Sequence, residues 1–121
     1  VLSIRFVTVP VANSDRARDW YQGKLGCTVV VDQQYGPVRW IEMAFPGGRS
    51  NVVLFTPPGF EHRVGQFTGI SLMADDIEAV YEDMQARGVE FVEPLATADW
   101  GGKQAIFRDS EGNQFVLAQE S

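Results

Sequence analysis

Histidine and cysteine are nearly missing from this chain. Its 121 residues hold one of each, His62 and Cys27. A single cysteine excludes an internal disulfide framework and fits a reducing compartment, so a cytoplasmic protein is expected. A catalytic divalent site needs three or four convergent His, Cys or carboxylate groups. With one imidazole and one thiol, most of that donor set is wanting. No apolar run approaches the ~20 residues of a membrane-spanning helix. The first residues also lack the basic region and cleavage site of a secretory leader, so none is expected.

Positive charge is scarce as well. Ten Lys and Arg stand against sixteen Asp and Glu, a net charge of −6. That balance argues against nucleic acid, whose phosphates select a basic stripe. The deficit is uneven: residues 1–56 carry six basic and four acidic side chains, and residues 57–121 carry four and twelve. The acidic excess reads as a solvated helix face.

What is present is a repeat. Phe6 to Gly26 reads as strand, capped turn, amphipathic helix and glycine stop, and the same succession returns from Ile70 to Gly88. A half-chain of about 60 residues is marginal alone, so two copies must share a core or a partner. In the first copy, Ile4 to Val11 alternates as a strand, with Phe6, Thr8 and Pro10 on one side; Pro10 cannot donate to a ladder, so the strand ends or bulges there. Asn13 or Ser14 caps a helix whose apolar stripe is Ala17, Trp20, Tyr21 and Leu25. Strands follow over Cys27 to Val31, Val38 to Phe45 and Asn51 to Thr56. On the second of these, Trp40 and Glu42 face the same way.

Thr56 to Gln66 is polar, holds two prolines and two glycines, and reads as a linker. The second copy opens with Phe67 to Met73. Asp75 and Glu78 have capping-box spacing, and Ile77, Val80, Tyr81 and Met84 make the stripe of the second helix. Val89 to Val92 is a short strand, Pro94 to Gly102 a loop carrying Trp100. Gln104 to Arg108 pairs with Gln114 to Ala118 across the turn Asp109 to Asn113. The fold class is therefore α+β: two βαβββ modules, 1–56 and 67–121, joined by 57–66. Helices on one outer face leave the other free to curve into a cup.

These residues resemble a known family. Trp20-Tyr21 and Leu25-Gly26, Ala86-Arg87-Gly88-Val89 and the final hairpin Phe107 to Asn113 are similar to the vicinal oxygen chelate superfamily. That superfamily holds glyoxalase I, bleomycin-resistance proteins and extradiol dioxygenases. Ser110 stands where the hairpin usually has proline. The resemblance implies the fold firmly and the activity poorly, because metal enzymes and metal-free binders share it. The metal enzymes draw ligands from the first and last strand of each module. Carried over, those positions fall on Phe6, Leu54, Gly69 and Val116, none of which can coordinate through its side chain. No cofactor and no metal are expected.

The expected cup lining is Phe6, Thr8, Trp40, Glu42, Leu54, Gly69, Ser71, Met73, Phe107 or Ile106, Gln114 and Val116. The resemblance adds Trp100, on a loop that closes over the pocket in relatives. An aromatic cup with one acid suits a small organic molecule, aromatic or cationic. The leading expectation is metal-free binding, for sequestration or carriage. The alternatives are a metal-free isomerase or lyase with Glu42 as general base, or a divalent-metal lyase or dioxygenase. Open sheet edges predict a homodimer.

Overall fold

Alternating and helix-periodic segments form their elements in a computed structural model that describes residues 1–119. The chain divides into two compact units, the first Val1–Val64 and the second beginning at Gly65. Unit 1 comprises β1 (Phe6–Val9), α1 (Ser14–Leu25), β2 (Thr28–Tyr35), β3 (Val38–Ala44) and β4 (Asn51–Leu54). Its strands lie in the order β1-β4-β3-β2. β1 runs parallel to β4, and the other pairs are antiparallel. Unit 2 repeats the plan with β5 (Phe67–Met73), α2 (Ile77–Ala86), β6 (Glu90–Thr97), β7 (Lys103–Arg108) and β8 (Gln114–Gln119). Its order is β5-β8-β7-β6, again with the first and last strands parallel. The α+β class and the two βαβββ modules are thus present: two four-stranded mixed sheets with a helix each.

Each helix starts on an acid or amide. The Asn13 Oδ1 accepts from the Arg16 amide at 2.9 Å. In α2 the cap is Asp76, whose Oδ1 accepts from the Ala79 amide at 3.2 Å, rather than the expected Asp75. The Ile77 amide is also satisfied, donating to Gln119 Oε1 at 2.6 Å. Ala17 and Tyr21 are buried on α1, and Ile77 and Met84 on α2.

Several strand boundaries differ from expectation, those of β2 and β6 most, while β1 ends beside Pro10 as expected. β1 stops at Val9 because Pro10 has no N–H to donate, and the Thr56 side chain takes over at Val11. Its hydroxyl accepts from the Val11 amide at 2.8 Å and donates to the Val11 carbonyl at 2.9 Å. β2 and β6 run on past the expected Val31 and Val92, to Tyr35 and Thr97. Both are edge strands, so antiparallel pairing carries them on without an apolar face. Pro94 is tolerated in β6 because it falls at a register irregularity on an edge.

Candidate functional site

Strand register sorts the side chains of unit 1 onto two faces. Val9, Leu54 and Ile41 lie opposite one another across β1, β4 and β3, and all three are fully buried. With Met43 and Val52 they form the face that α1 covers. Thr8, Val53 and Glu42 are the register partners on the other, open face. Leu54 therefore does not line that face, as the sequence had led us to expect. It is core, and its neighbours Val53 and Phe55 point the way Phe6 does.

The open face of unit 1 is aromatic. Trp40 meets Phe6 edge to face at a centroid distance of 5.4 Å and Phe55 at 5.4 Å with a tilt of 43°. Such pairs add about 0.5–1.5 kcal/mol each beyond area burial and hold the indole in a set orientation. Beyond Phe55 is a hollow of about 110 Å³ lined by Thr8, Pro10, Phe55, Pro57, Phe60 and Arg63. A full pocket for a drug-sized molecule has about 300–1,000 Å³, so this hollow holds one ring or one edge of a ligand. A short 3₁₀ turn, Glu61–Arg63, closes its rim. In such a turn side chains three apart eclipse, which sets the Arg63 guanidinium 4.7 Å from the centre of the Phe60 ring. His62 stacks on the same ring at 6.2 Å.

Glu42 lies at the other end of this face and is only 3% exposed. Both of its oxygens are engaged. The Asn51 amide donates to Oε2 at 2.7 Å, and the Arg5 guanidinium stands 3.5 Å from Oε1. Arg39, on the same strand as Glu42, is committed elsewhere. It grips Asp32 through two hydrogen bonds of 3.0 Å and reaches Asp15 at 2.7 Å. The Arg39 guanidinium holds the Asp32 carboxyl below its usual range.

In unit 2 the faces sort in the same way. Phe107 lies opposite Phe115 and stacks on it at 5.5 Å, while Phe91 connects Phe107 to Tyr81 of α2. Phe107 is fully buried in that helix-side core, a second correction to the expected lining. Its neighbour Ile106 faces the open side with Val116 and Ser71, which are its register partners. Gln114 shares that side. Gly69 interrupts the register of β5 with a φ of 74°, in the left-handed region that disfavours a Cβ. Thr68 stabilises the irregularity, donating to the Gln114 carbonyl at 2.8 Å and accepting from the Ile70 amide at 3.1 Å. Trp100 is 53% exposed, donates to Gln104 Oε1 at 3.2 Å and lies against Gly102.

Sequence reasoning missed Phe55, Phe60 and Arg63. The Pro57-Pro58-Gly59 turn followed by an aromatic and, one 3₁₀ turn later, an arginine was the available signal. It lay inside a segment read as linker.

The residues present do not fit a divalent metal. The positions carried over from the resemblance hold Phe6 and Leu54 in unit 1 and Gly69 and Val116 in unit 2. Phe6 and Leu54 lie on opposite faces of their sheet, and the flanking Val53 and Phe55 offer no donor atom. Among the described residues no group of three or more His, Cys, Asp or Glu side chains is placed to hold a metal ion. No helix is long and apolar enough to cross a membrane among the same residues.

This architecture defines a class, and comparison with known proteins defines it further. Residues 3–117 match the model of the Glyoxalase/Bleomycin resistance protein/Dioxygenase superfamily, and the chain belongs to that family. It is similar to the crystal structure of a member of the superfamily from Sphaerobacter thermophilus DSM 20745. That match has a TM-score of 0.89 and 34% identity, covering 99% of this chain and 98% of the other. It is similar also to TnmS3, an antibiotic binding protein from Streptomyces sp. CB03234. Here the TM-score is 0.86 and the identity 30%, over 100% of this chain and 98% of that one. Among curated proteins it resembles the uncharacterized protein YetH of Bacillus subtilis (strain 168). The two are 28% identical over 98% of this chain and 99% of the relative.

Proposed function

We propose that this protein binds a small planar organic molecule without a metal ion, sequestering or carrying it rather than transforming it. The observation that carries the reading is the ring set Phe6, Trp40 and Phe55 on the open face of unit 1, with the hollow beyond it. A held indole with an exposed flank gives a ligand ring a stacking partner. The end-to-end likeness to an antibiotic binding protein supports a small-molecule ligand.

Glu42 supports binding over proton transfer. A general base must reach the proton it removes, and Glu42 is only 3% exposed with Oε2 taken by the Asn51 amide. On this reading Glu42 orders the end of the face. Ser71, Gln114 and Val116 on the open face of unit 2, and Trp100, stand as candidates for further ligand contacts. Exposed Phe67 and Met73 on the edge strand β5 favour a homodimer with two equivalent sites; sedimentation of the purified protein measures its mass directly. The ligand role is tested by titrating EDTA-dialysed protein with a panel of planar aromatics and antibiotics. Saturable quenching of tryptophan emission by some members is expected. Silence across the panel counts against the proposal.

A further inference from the structure

We infer that the hollow of unit 1 selects planar aromatic ligands bearing an anionic group, a carboxylate above all, with Arg63 as the residue that reads the charge. The inference rests on the binding role proposed above and narrows its ligand class.

Three observations converge on it. First, the hollow has one charged group in its wall, the Arg63 guanidinium, set among Phe55, Phe60, Pro10 and Pro57. Second, Arg63 has no carboxylate partner among the described residues. Its guanidinium lies over the face of Phe60, 4.7 Å from the ring centre. Most arginines around the sheet are committed, Arg39 and Arg18 to Asp32 and Arg5 to Glu42. Third, the opposing charge stands apart from the hollow. Glu42, the acid on this open face, is only 3% exposed, lies outside the hollow's lining and has Oε2 taken by the Asn51 amide, so it offers little to a ligand cation there. Unit 1 as a whole has seven basic and five acidic residues, in a protein that is otherwise strongly acidic.

The geometry supplies the rest. A guanidinium stacked on a ring keeps its edge N–H groups directed outward in one plane, and that edge matches a carboxylate through two parallel hydrogen bonds. Phe60 restrains the guanidinium, so less freedom is lost on binding. The apolar walls take the ligand's ring and exclude water beside the ion pair. The Thr8 hydroxyl at the rim can donate to the same carboxylate. A cationic ligand would meet Arg63 as a like charge.

The test uses a matched pair, 2-naphthoate and 2-naphthamide, which share a ring and differ in charge. Calorimetric titration of the full chain at low salt is expected to show the acid binding about tenfold tighter than the amide. Raising the salt narrows the gap. Arg63→Gln brings the ratio near one, Arg63→Lys keeps the acid ahead, and Arg49→Gln, remote from the hollow, leaves the ratio unchanged. Equal affinity for the two in the unaltered protein overturns the charge preference and leaves the binding role standing. A preference that survives Arg63→Gln overturns the assignment of Arg63. Absence of binding by both compounds at millimolar concentration counts against the preference and the binding role together.

Discussion

Cys27 is buried just after α1, and burial pushes its thiol up to about 12 from 9.0. A native thiol in that state is a poor nucleophile, so native protein is expected to resist iodoacetamide at pH 8 and to react once unfolded in urea. The same shift sets a pH dependence. Between about pH 9 and pH 12 the unfolded chain has lost this proton while the native chain keeps it. Stability contributed by the thiol is therefore full below pH 9 and falls as pH rises toward 12. Urea midpoints measured from pH 8 to 11 should fall more steeply for the unaltered protein than for Cys27→Ala. Parallel curves would contradict this. At Glu42 the partner that matters is Asn51. Glu42→Gln retains an acceptor for the Asn51 amide and should cost under about 1 kcal/mol, because the Arg5 side chain is 76% exposed and its pair is weak. Glu42→Leu strands that amide and should cost about 1–3 kcal/mol by urea denaturation. The pairing of Trp40 and Glu42 on one side of β3 was readable from alternation. Which arginine would answer Glu42 was not, because Arg5, just ahead of β1, reaches it from 37 positions away.

The cap of α2 separates two adjacent acids. Asp76→Ala should cost about 1 kcal/mol and Asp75→Ala close to nothing, since only Asp76 accepts from the helix. Equal losses would contradict the assignment. Sequence spacing favoured Asp75 because of Glu78 three residues on, but Glu78 is drawn away to Lys103. Gly102 makes a second prediction. A Cβ there would lie 2.6 Å from the Gln119 carbonyl and collide with the Trp100 ring. Gly102→Ala should cost about 1–3 kcal/mol and shift Trp100 emission as the ring is displaced; an unchanged spectrum would contradict the packing. At this scale the elements themselves were legible, with β5 read to the residue, because their periods differ sharply. The facing of β4 was not. Val52-Val53-Leu54-Phe55 is apolar on both sides, so nothing in it marks parity, and a one-residue slip reverses every side chain. Ala105-Ile106-Phe107 in β7 has the same ambiguity, which is why Phe107 was expected on the open face and lies in the core.

For the whole molecule the repeat was the most legible feature. The same succession of strand, helix and glycine stop in the two halves anticipated a topology that recurs strand for strand, first, fourth, third, second. The hollow was much less legible. Phe60 and Arg63 sit in a segment whose prolines and glycines mark a connection, and only the 3₁₀ turn brings the ring and the guanidinium together. The scarcity of histidine and cysteine, by contrast, was visible in composition alone and shapes the proposed function. That proposal makes the aromatic face of unit 1 a binding site that works without a metal. The direct measurement is calorimetric titration of an aromatic ligand that quenches the protein's emission, run on EDTA-dialysed protein and again with added zinc, nickel or manganese. The account predicts one affinity under all these conditions and at least a tenfold loss in Trp40→Ala. Binding that appears only with metal, or that is indifferent to Trp40→Ala, would contradict it.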